Sequence, residues 1–483
     1  MQQLHVKVSK GIKWTTLSSL VPKIISPLIM IVLARLLAPE YFGLISTAMI
    51  VISFSQIFWE AGLTRALIQS NEPIELSGNL VFWSNLILSI LLYLIIFFIA
   101  PLVSKYYHNE QTIIVLRVLG LQIIFMSLTS VQEAIFSKEL NFKPLFAIKL
   151  ICSVSNGIVS IILALTGYGV WALVYGTLSG VIINLILIWK KSYWRPTLSI
   201  QWKLASKFYR YGFWVLFLSL LGWLINWFDS ILIGKYFGIR DLGIYRTGVT
   251  IISMIFSIFI TPIATVMFPS FSKLNGDRIK IKKHFNEINK LIILIVLPIG
   301  VGLFMLSNEI VNVFFGQKWA GISVVIGLLG ITEAIANFCS INPIVFQSIG
   351  RPDLQPKLST FLIFLFIIVY WFVAPYGIIA MLVAKLILAI ITTPINMYVM
   401  VRVLKLPPFY IIHQGKYIFI SCILMSIFII VLKFILKNVN LNSDLVILIL
   451  SILFSAIFYF FLLFKLENEF MKKLIFSIKS SLY

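Results

Sequence analysis

The residues of this chain that could do chemistry are ionised side chains set inside long apolar runs. Lys23, Glu333 and Lys385 lie deepest. Glu60, Glu133 and Lys149 lie toward one end of their runs, and Arg117, Asp229 and Arg246 toward the other. A charge at the middle of a membrane helix costs about 2.5–3.5 kcal/mol on insertion scales, so each must be paired, hydrated or in use. Polar neighbours accompany many of them at helical spacing: Thr16, Ser19, Lys23 and Ser26; Ser46, Ser53 and Glu60; Gln122, Thr129 and Glu133; Lys149, Ser153, Asn156 and Ser160; Glu333, Asn337 and Ser340; Lys385, Thr392 and Asn396. Steps of three, four and seven put each set on one helix face. One such stripe is helix–helix glue. Stripes on several runs favour a shared water-filled cavity where a charged solute or a coupling ion is met. The structural alternative is ion pairing, for instance Glu133 with Lys149. Lys23 is the foremost functional candidate, because it follows Pro22 and precedes Pro27, where a purely structural lysine is out of place.

Other chemistries find no footing. His5, His108, His284 and His413 are scattered over connections and build no metal site. Cys152, Cys339 and Cys422 lie inside apolar runs at no metal spacing, so no disulfide is expected. There is no glycine-rich phosphate loop, no serine elbow and no Asp-x-Asp motif. The chain therefore reads as a transporter and not an enzyme, with no cofactor.

The elements that must position these charges are membrane spans. Of the 483 residues, 60% are hydrophobic and 12% charged, about half the ~25% of globular proteins. The mean hydropathy is +1.02. The formal net charge of +22 is spread over short connections, with no soluble basic domain, so it argues for anionic lipid and against nucleic acid. A span needs ~20 apolar residues. Fourteen are expected: 13–34, 43–62, 79–101, 113–136, 145–166, 169–189, 211–234, 244–268, 289–308, 321–345, 357–375, 377–400, 416–437 and 444–464. The first is read as an uncleaved span, since no small-residue cleavage site follows it. Pro101, Pro144, Pro269 and Pro356 are expected at boundaries, and Pro262 and Pro298 inside spans. Even-numbered connections and both tails hold 27 Lys and Arg, odd-numbered connections 7. That bias puts both termini in the cytoplasm.

The chain also repeats. Leu33 to Ser46 reads LARLLAPEYFGLIS, and 200 residues on, Ile233 to Arg246 reads IGKYFGIRDLGIYR. Arg35 aligns with Lys235, Ala38 with Gly238 and Gly43 with Gly243, each stretch joining the first two spans of a half. Gly43 is expected to supply the positive φ of a tight turn. Phe136–Pro144 recurs as Phe346–Pro356, and Tyr168-Gly169 as Tyr376-Gly377. Six spans separate the copies, so the halves share one orientation, as parallel repeats do. The expected fold is an all-α polytopic membrane protein with 14 transmembrane helices. It divides into a six-helix bundle at 1–200, a second at 201–406, and two extra helices with a cytoplasmic tail at 407–483.

LARLLAPEYFGLIS at 33–46, GLTRALIQ at 62–69, FSKELNFK at 136–143 and GYGVWALVYGTLSG at 167–180 resemble the polysaccharide-repeat (Wzx-type) flippases. These belong to the multidrug/oligosaccharidyl-lipid/polysaccharide exporter (MOP) superfamily, and the likeness is to the colanic-acid and teichuronic-acid exporter branch. The resemblance runs through the first twelve spans. It implies two six-span bundles around a central cavity, with spans 13 and 14 forming a groove for a lipid tail. It also implies movement of an undecaprenyl-pyrophosphate-linked oligosaccharide across the bacterial inner membrane for surface polysaccharide (lipopolysaccharide or exopolysaccharide) synthesis, by alternating access. A cationic lumen for the pyrophosphate would carry over to Lys23, Lys149 and Lys385, with Arg35, Lys235 and Arg246 at the outer mouth. This chain departs in that Lys23, Arg117, Lys149 and Lys385 are offset by Glu60, Glu133, Asp229 and Glu333. Glu60, Asp229 and Glu333 are the candidates for coupling to H+ or Na+. The expected partners are the lipid-linked oligosaccharide, membrane lipid and a polysaccharide polymerase, with the flippase itself a monomer. The rival readings are a cation-coupled small-molecule (multidrug) exporter of the same fold and a membrane glycan polymerase. A polymerase would need a sizeable outer loop or a carboxylate motif at the membrane face, and neither is present.

Overall fold

The computed structural model describes residues 25–59, 63–70, 72–198, 202–273, 277–407, 410–439, 443–472 and 476. Among them the regular elements are all helical. Inside a hydrocarbon layer no water satisfies backbone N–H and C=O groups, so apolar runs of this length close their hydrogen bonds within each helix. In chain order the helices are α1 (Ile25–Leu36), α2 (Pro39–Trp59), α3 (Arg65–Gln69), α4 (Ile74–Tyr107), α5 (Gln111–Lys138), α6 (Phe142–Leu165), α7 (Val170–Lys191) and α8 (Trp202–Lys273). They continue as α9 (Arg278–Met305), α10 (Ser307–Phe314), α11 (Ile322–Ala336), α12 (Asn342–Ser348), α13 (Leu354–Val373), α14 (Ile378–Leu404), α15 (Tyr410–Asn438) and α16 (Asp444–Leu466).

Twelve helices among the described residues are long and apolar enough to cross a membrane. One of them, Val215–Ala264, runs through two expected spans, 211–234 and 244–268, broken only where Gly238 takes φ 84° and ψ −179°. The first expected span, 13–34, lies mostly outside the described residues.

Prolines behave differently from the boundary expectation in one instructive place. Pro101 lies inside α4, which continues to Tyr107. A proline has no N–H for the carbonyl four residues back, which normally ends or kinks a helix. Here that carbonyl belongs to Phe97, and Arg117 Nε on α5 donates to it at 3.2 Å. The guanidinium also lies 4.0 Å over the Phe97 ring. Pro298 inside α9 is treated the same way: Tyr459 Oη on α16 donates to the Leu294 carbonyl at 2.9 Å. A neighbouring helix thus supplies the donor each proline lacks, and both helices run on.

Three helix–helix turns recur in matching form. Leu140 follows α5 with φ 57°, and Gly350 follows α12 with φ 76°. Asn141 N donates to Phe136 O at 2.9 Å, and Arg351 N to Phe346 O at 2.8 Å, the same bond 210 residues apart. His108 and Gly316, at φ 52° and 80°, and Gly169 and Gly377, at φ 55° and 117°, are each 208 apart.

The chain falls into two compact units. The first spans Met1–Thr247 and Phe366–Ile378. Its helices α4 and α5 are joined by a buried polar seam, Asn85 Nδ2 to Ser130 Oγ at 3.1 Å and Ser89 Oγ to Ser127 Oγ at 2.8 Å. The segment after α7 is strapped to the end of α4. Trp194 is buried against Leu80, Val81 and Phe82, and Gly78 leaves room for its ring. Thr197 exchanges two hydrogen bonds with the Asn79 side chain at 2.6 and 2.8 Å. The second unit spans Gly248–Leu365 and Ile379–Tyr483. Gly300 on α9 meets Gly330 on α11, where an added Cβ would lie 2.7 Å from the Gly330 carbonyl oxygen. Phe428 of α15 stacks on Phe458 of α16 at 4.6 Å between ring centroids.

Candidate functional site

Asp229 and Arg246 are the two expected site residues that the first unit brings into one neighbourhood. Both lie on α8, on either side of its break at Gly238, which folds the two arms back to the same depth. Asp229 is buried, with 2% of its surface exposed. Its Oδ1 accepts from Ser230 N at 2.6 Å and Ser230 Oγ at 3.0 Å, and its Oδ2 accepts from Tyr245 Oη at 2.5 Å. Neutral donors carry this carboxylate, which is how a charge is held in a dry place without a covalent or ionic anchor. One residue beyond Tyr245, the Arg246 guanidinium lies 3.8 Å over the Trp227 ring and Nη1 donates to the Asn226 carbonyl at 3.1 Å. A guanidinium held flat by an aromatic face keeps further N–H groups for a planar anion such as a phosphate.

Lys235 occupies the end of the first arm. It is exposed, and its ammonium lies 5.6 Å from the Tyr106 and Tyr236 ring centres. Arg35 is exposed at the end of α1. Lys149 is exposed on α6. Glu333 on α11 and Lys385 on α14 are both half-buried and belong to the second unit. Lys23 and Glu60 lie outside the described residues.

Three expectations are revised. Gly43 makes no positive-φ turn: it sits in the first turn of α2, and Pro39 at the helix start, with its fixed φ, begins that helix. The left-handed backbone belongs to Gly238 in the other copy. Glu133 makes no ion pair with Lys149; its Oε1 accepts from Asn184 Nδ2 on α7 at 3.0 Å. Several stripe residues are glue and not cavity lining. Ser160 is buried where Gly176 presses on it, Gln122 and Thr129 are buried on α5, and Ser53 accepts from Trp223 Nε1 at 3.0 Å.

Sequence reading passed over two buried ion pairs of the second unit. Lys433 on α15 meets Glu309 on α10 at 2.5 Å and also donates to the Met305 carbonyl at 3.1 Å. Lys290 on α9 meets Glu467 at 2.6 Å and lies 4.4 Å over the Phe470 ring. The available signal was Lys433 itself, an unaccompanied cation inside an apolar run. Trp227 and Tyr245, which hold Arg246 and Asp229, were also missed; aromatic residues in a membrane helix are too common to single out.

A family model described as "Polysaccharide biosynthesis protein" matches residues 32–324, more than half of the chain. The chain belongs to this family. Among curated members of similar sequence is the succinoglycan biosynthesis transport protein ExoT of Rhizobium meliloti (strain 1021). It is 24% identical over 345 residues, 71% of this chain and 70% of ExoT. The teichuronic acid biosynthesis protein TuaB of Bacillus subtilis (strain 168) is 25% identical over 73% of this chain and 74% of its own length. The lipopolysaccharide biosynthesis protein WzxC of Escherichia coli (strain K12) is 24% identical over 75% and 74%. In fold, this polysaccharide biosynthesis protein is similar to the lipid II flippase MurJ in an inward closed conformation, with a TM-score of 0.77 over 94% of this chain and 99% of that one at 16% identity. It is also similar to an inward-facing multidrug resistance MATE family transporter of the MOP superfamily, with a TM-score of 0.59 over 82% and 99% at 16% identity. The fold is therefore the MurJ and MATE one, in a multi-pass membrane protein.

Proposed function

We propose that this protein is a flippase that moves an undecaprenyl-pyrophosphate-linked oligosaccharide repeat unit across the bacterial inner membrane for surface polysaccharide synthesis. The observation that carries the reading is the family match over residues 32–324. Its relatives ExoT, TuaB and WzxC are named for three different polysaccharides, so a shared step independent of the sugar suits them best. The MurJ-like fold supports a lipid-linked substrate. It also leaves less of the chain unmatched than the MATE likeness does, 94% against 82% covered, which disfavours the small-molecule exporter.

The chain is organised as fourteen spans, two parallel six-helix halves at 1–200 and 201–406 and two further helices with a tail at 407–483. Both termini face the cytoplasm. The paired turns at 140 and 350, at 108 and 316, and at 169 and 377 support the parallel repeat. The flippase works by alternating access, without catalysing a covalent reaction. Lys23, Lys149 and Lys385 replace water around the pyrophosphate, and Arg35, Lys235 and Arg246 receive it at the outer mouth. Asp229, Glu60 and Glu333 are the groups through which H+ or Na+ would couple. A monomer suffices, with a polysaccharide polymerase as the downstream partner.

The test is translocation of a fluorescent undecaprenyl-pyrophosphoryl oligosaccharide in proteoliposomes. The expected result is protein-dependent movement to the opposite leaflet, reduced at least tenfold in Lys149→Ala with the protein still folded. Transport of multidrug dyes without lipid-linked sugar would replace this reading with the exporter.

A further inference from the structure

The two copies of the repeated stretch touch each other, and they do so reciprocally. Both lie in the first unit. An added Cβ on Gly43 would overlap the carbonyl oxygen of Ile239, and one on Gly243 would overlap the carbonyl oxygen of Pro39 and come within 2.8 Å of the Gly43 nitrogen. Pro39 and Ile239 are 200 apart, as are Gly43 and Gly243. Position 43 of each copy therefore meets position 39 of the other. Between them Arg240 Nε meets Glu40 Oε1 at 3.4 Å, and 40 and 240 are themselves equivalent positions. Pairings that map onto one another when the copies are exchanged define a local two-fold axis, as in an isologous interface.

The chemistry of the contact is that of a surface made to part. Glycine has no side chain to interdigitate, so two helix starts approach backbone to backbone, as small residues allow in membranes. A carbonyl oxygen against a glycine Cα is held by weak contacts only. Leu37, Leu44, Leu242 and Ile244 beside the glycines are buried. The ion pair over them is exposed, at 62% for the arginine and 44% for the glutamate, and a pair in that setting contributes little. Residues 202–247 belong to the second half by the repeat, yet they pack into the same compact unit as the first half. Any rocking of the halves must break what joins them there.

We infer that the contact of Gly43 and Gly243 with Ile239 and Pro39, closed over by Glu40 and Arg240, is a gate: it seals the end of the pathway where spans 1 and 2 and spans 7 and 8 connect, and it opens once per transport cycle. This rests on the alternating-access reading of the proposed function. The two glycines are what permit closure; a methyl group at either holds the copies apart.

The experiment uses the full chain with Cys152, Cys339 and Cys422 replaced by serine, carrying Glu40→Cys and Arg240→Cys, in proteoliposomes with the fluorescent lipid-linked oligosaccharide. A short thiol-cleavable bifunctional crosslinker should join the two positions in high yield. Translocation should then fall at least tenfold and return on reduction. Adding Gly43→Ala or Gly243→Ala should cut the crosslinking yield about fivefold. If the alanine variants do not accumulate, the crosslinked protein decides alone, since it keeps both glycines. Full translocation by crosslinked protein would make the contact static helix glue and overturn the gate while leaving the flippase intact. No crosslinking, or yield unchanged by alanine, would equally overturn it. If the uncrosslinked chain flips nothing, the proposed function fails instead, and crosslinking yield still reports whether the glycines close the contact.

Discussion

The two units hold their membrane charges in opposite ways. In the second, cations are neutralised directly: Lys433 by Glu309 at 2.5 Å and Lys290 by Glu467 at 2.6 Å. In the first, they rest on neutral groups. Arg246 lies on Trp227, Arg117 on Phe97 and Lys235 by two tyrosines, while Asp229 is carried by Tyr245 and Ser230. A buried ion pair is closed chemistry, because each charge already has its counter-ion. A charge on an aromatic face or a hydroxyl keeps its full formal charge available to a ligand. The difference separates structural charges from candidate working ones better than depth in the span does.

The largest expected effect would break this contrast at the second unit. Glu309→Ala leaves Lys433 buried and unpaired and should cost about 3–5 kcal/mol. Glu309→Leu with Lys433→Leu should restore most of it, as apolar replacement of buried pairs does. Thermal unfolding in detergent reads both, and flipping per folded molecule should stay unchanged. In the first unit the order reverses. Arg246→Leu should cost no more than ~2 kcal/mol, the scale of a desolvated cation–π contact, and lower flipping severalfold at equal protein level. If Arg246→Leu unfolds the protein while the Glu309 variant stops transport, the contrast is wrong.

A smaller effect sharpens the treatment of the prolines. Tyr459→Phe strands the Leu294 carbonyl that Pro298 leaves open, at about 1–3 kcal/mol. With Pro298→Ala in the same chain that carbonyl recovers a backbone partner, so the tyrosine deletion should cost much less. A melting-temperature double-mutant cycle with no coupling would mean that Tyr459 acts by packing alone.

Smaller still is the difference between matching turns. Leu140 and Gly350 hold the same left-handed position, but a side chain there costs roughly 1–2 kcal/mol. Leu140→Gly should therefore stabilise slightly, by under ~1 kcal/mol after the added chain entropy of glycine. Gly350→Ala should destabilise by about 1 kcal/mol. Equal and same-signed shifts would show that the two turns are not equivalent.

The least effect is one of pH, and it belongs to one copy only. Asp353 accepts from Arg351 at 3.1 Å and Lys357 at 3.0 Å, and these bonds, Arg351 foremost, hold its carboxyl at about 2. The unfolded value is ~3.9, so the stabilisation is complete above that pH and is lost as pH falls through the folded value. The equivalent position in the first copy is Lys143. Asp353→Asn should flatten the acid limb of the melting profile between about pH 4 and 2, and Lys143→Ala should leave it as it was.

Much of the architecture was legible in the residues alone. Apolar length sets the spans, because a backbone in hydrocarbon has no alternative to the helix. The recurrence of 33–46, 136–144 and 168–169 marked the turns, because a turn needs particular backbone angles and keeps the residues that allow them. What only tertiary structure decided were events between positions far apart in the chain. Pro101 looked like an end until Arg117 supplied the missing donor. Glu133 looked like a partner for Lys149 until α7 brought Asn184 nearer. Lys433 found Glu309 from another helix 124 residues back. Gly43 is the plainest case. Its sequence value was conformational freedom, yet its backbone is ordinary helix and its missing Cβ is used against Ile239. A glycine announces that a side chain is absent; which neighbour fills the space is set by packing, and packing is not written in local sequence.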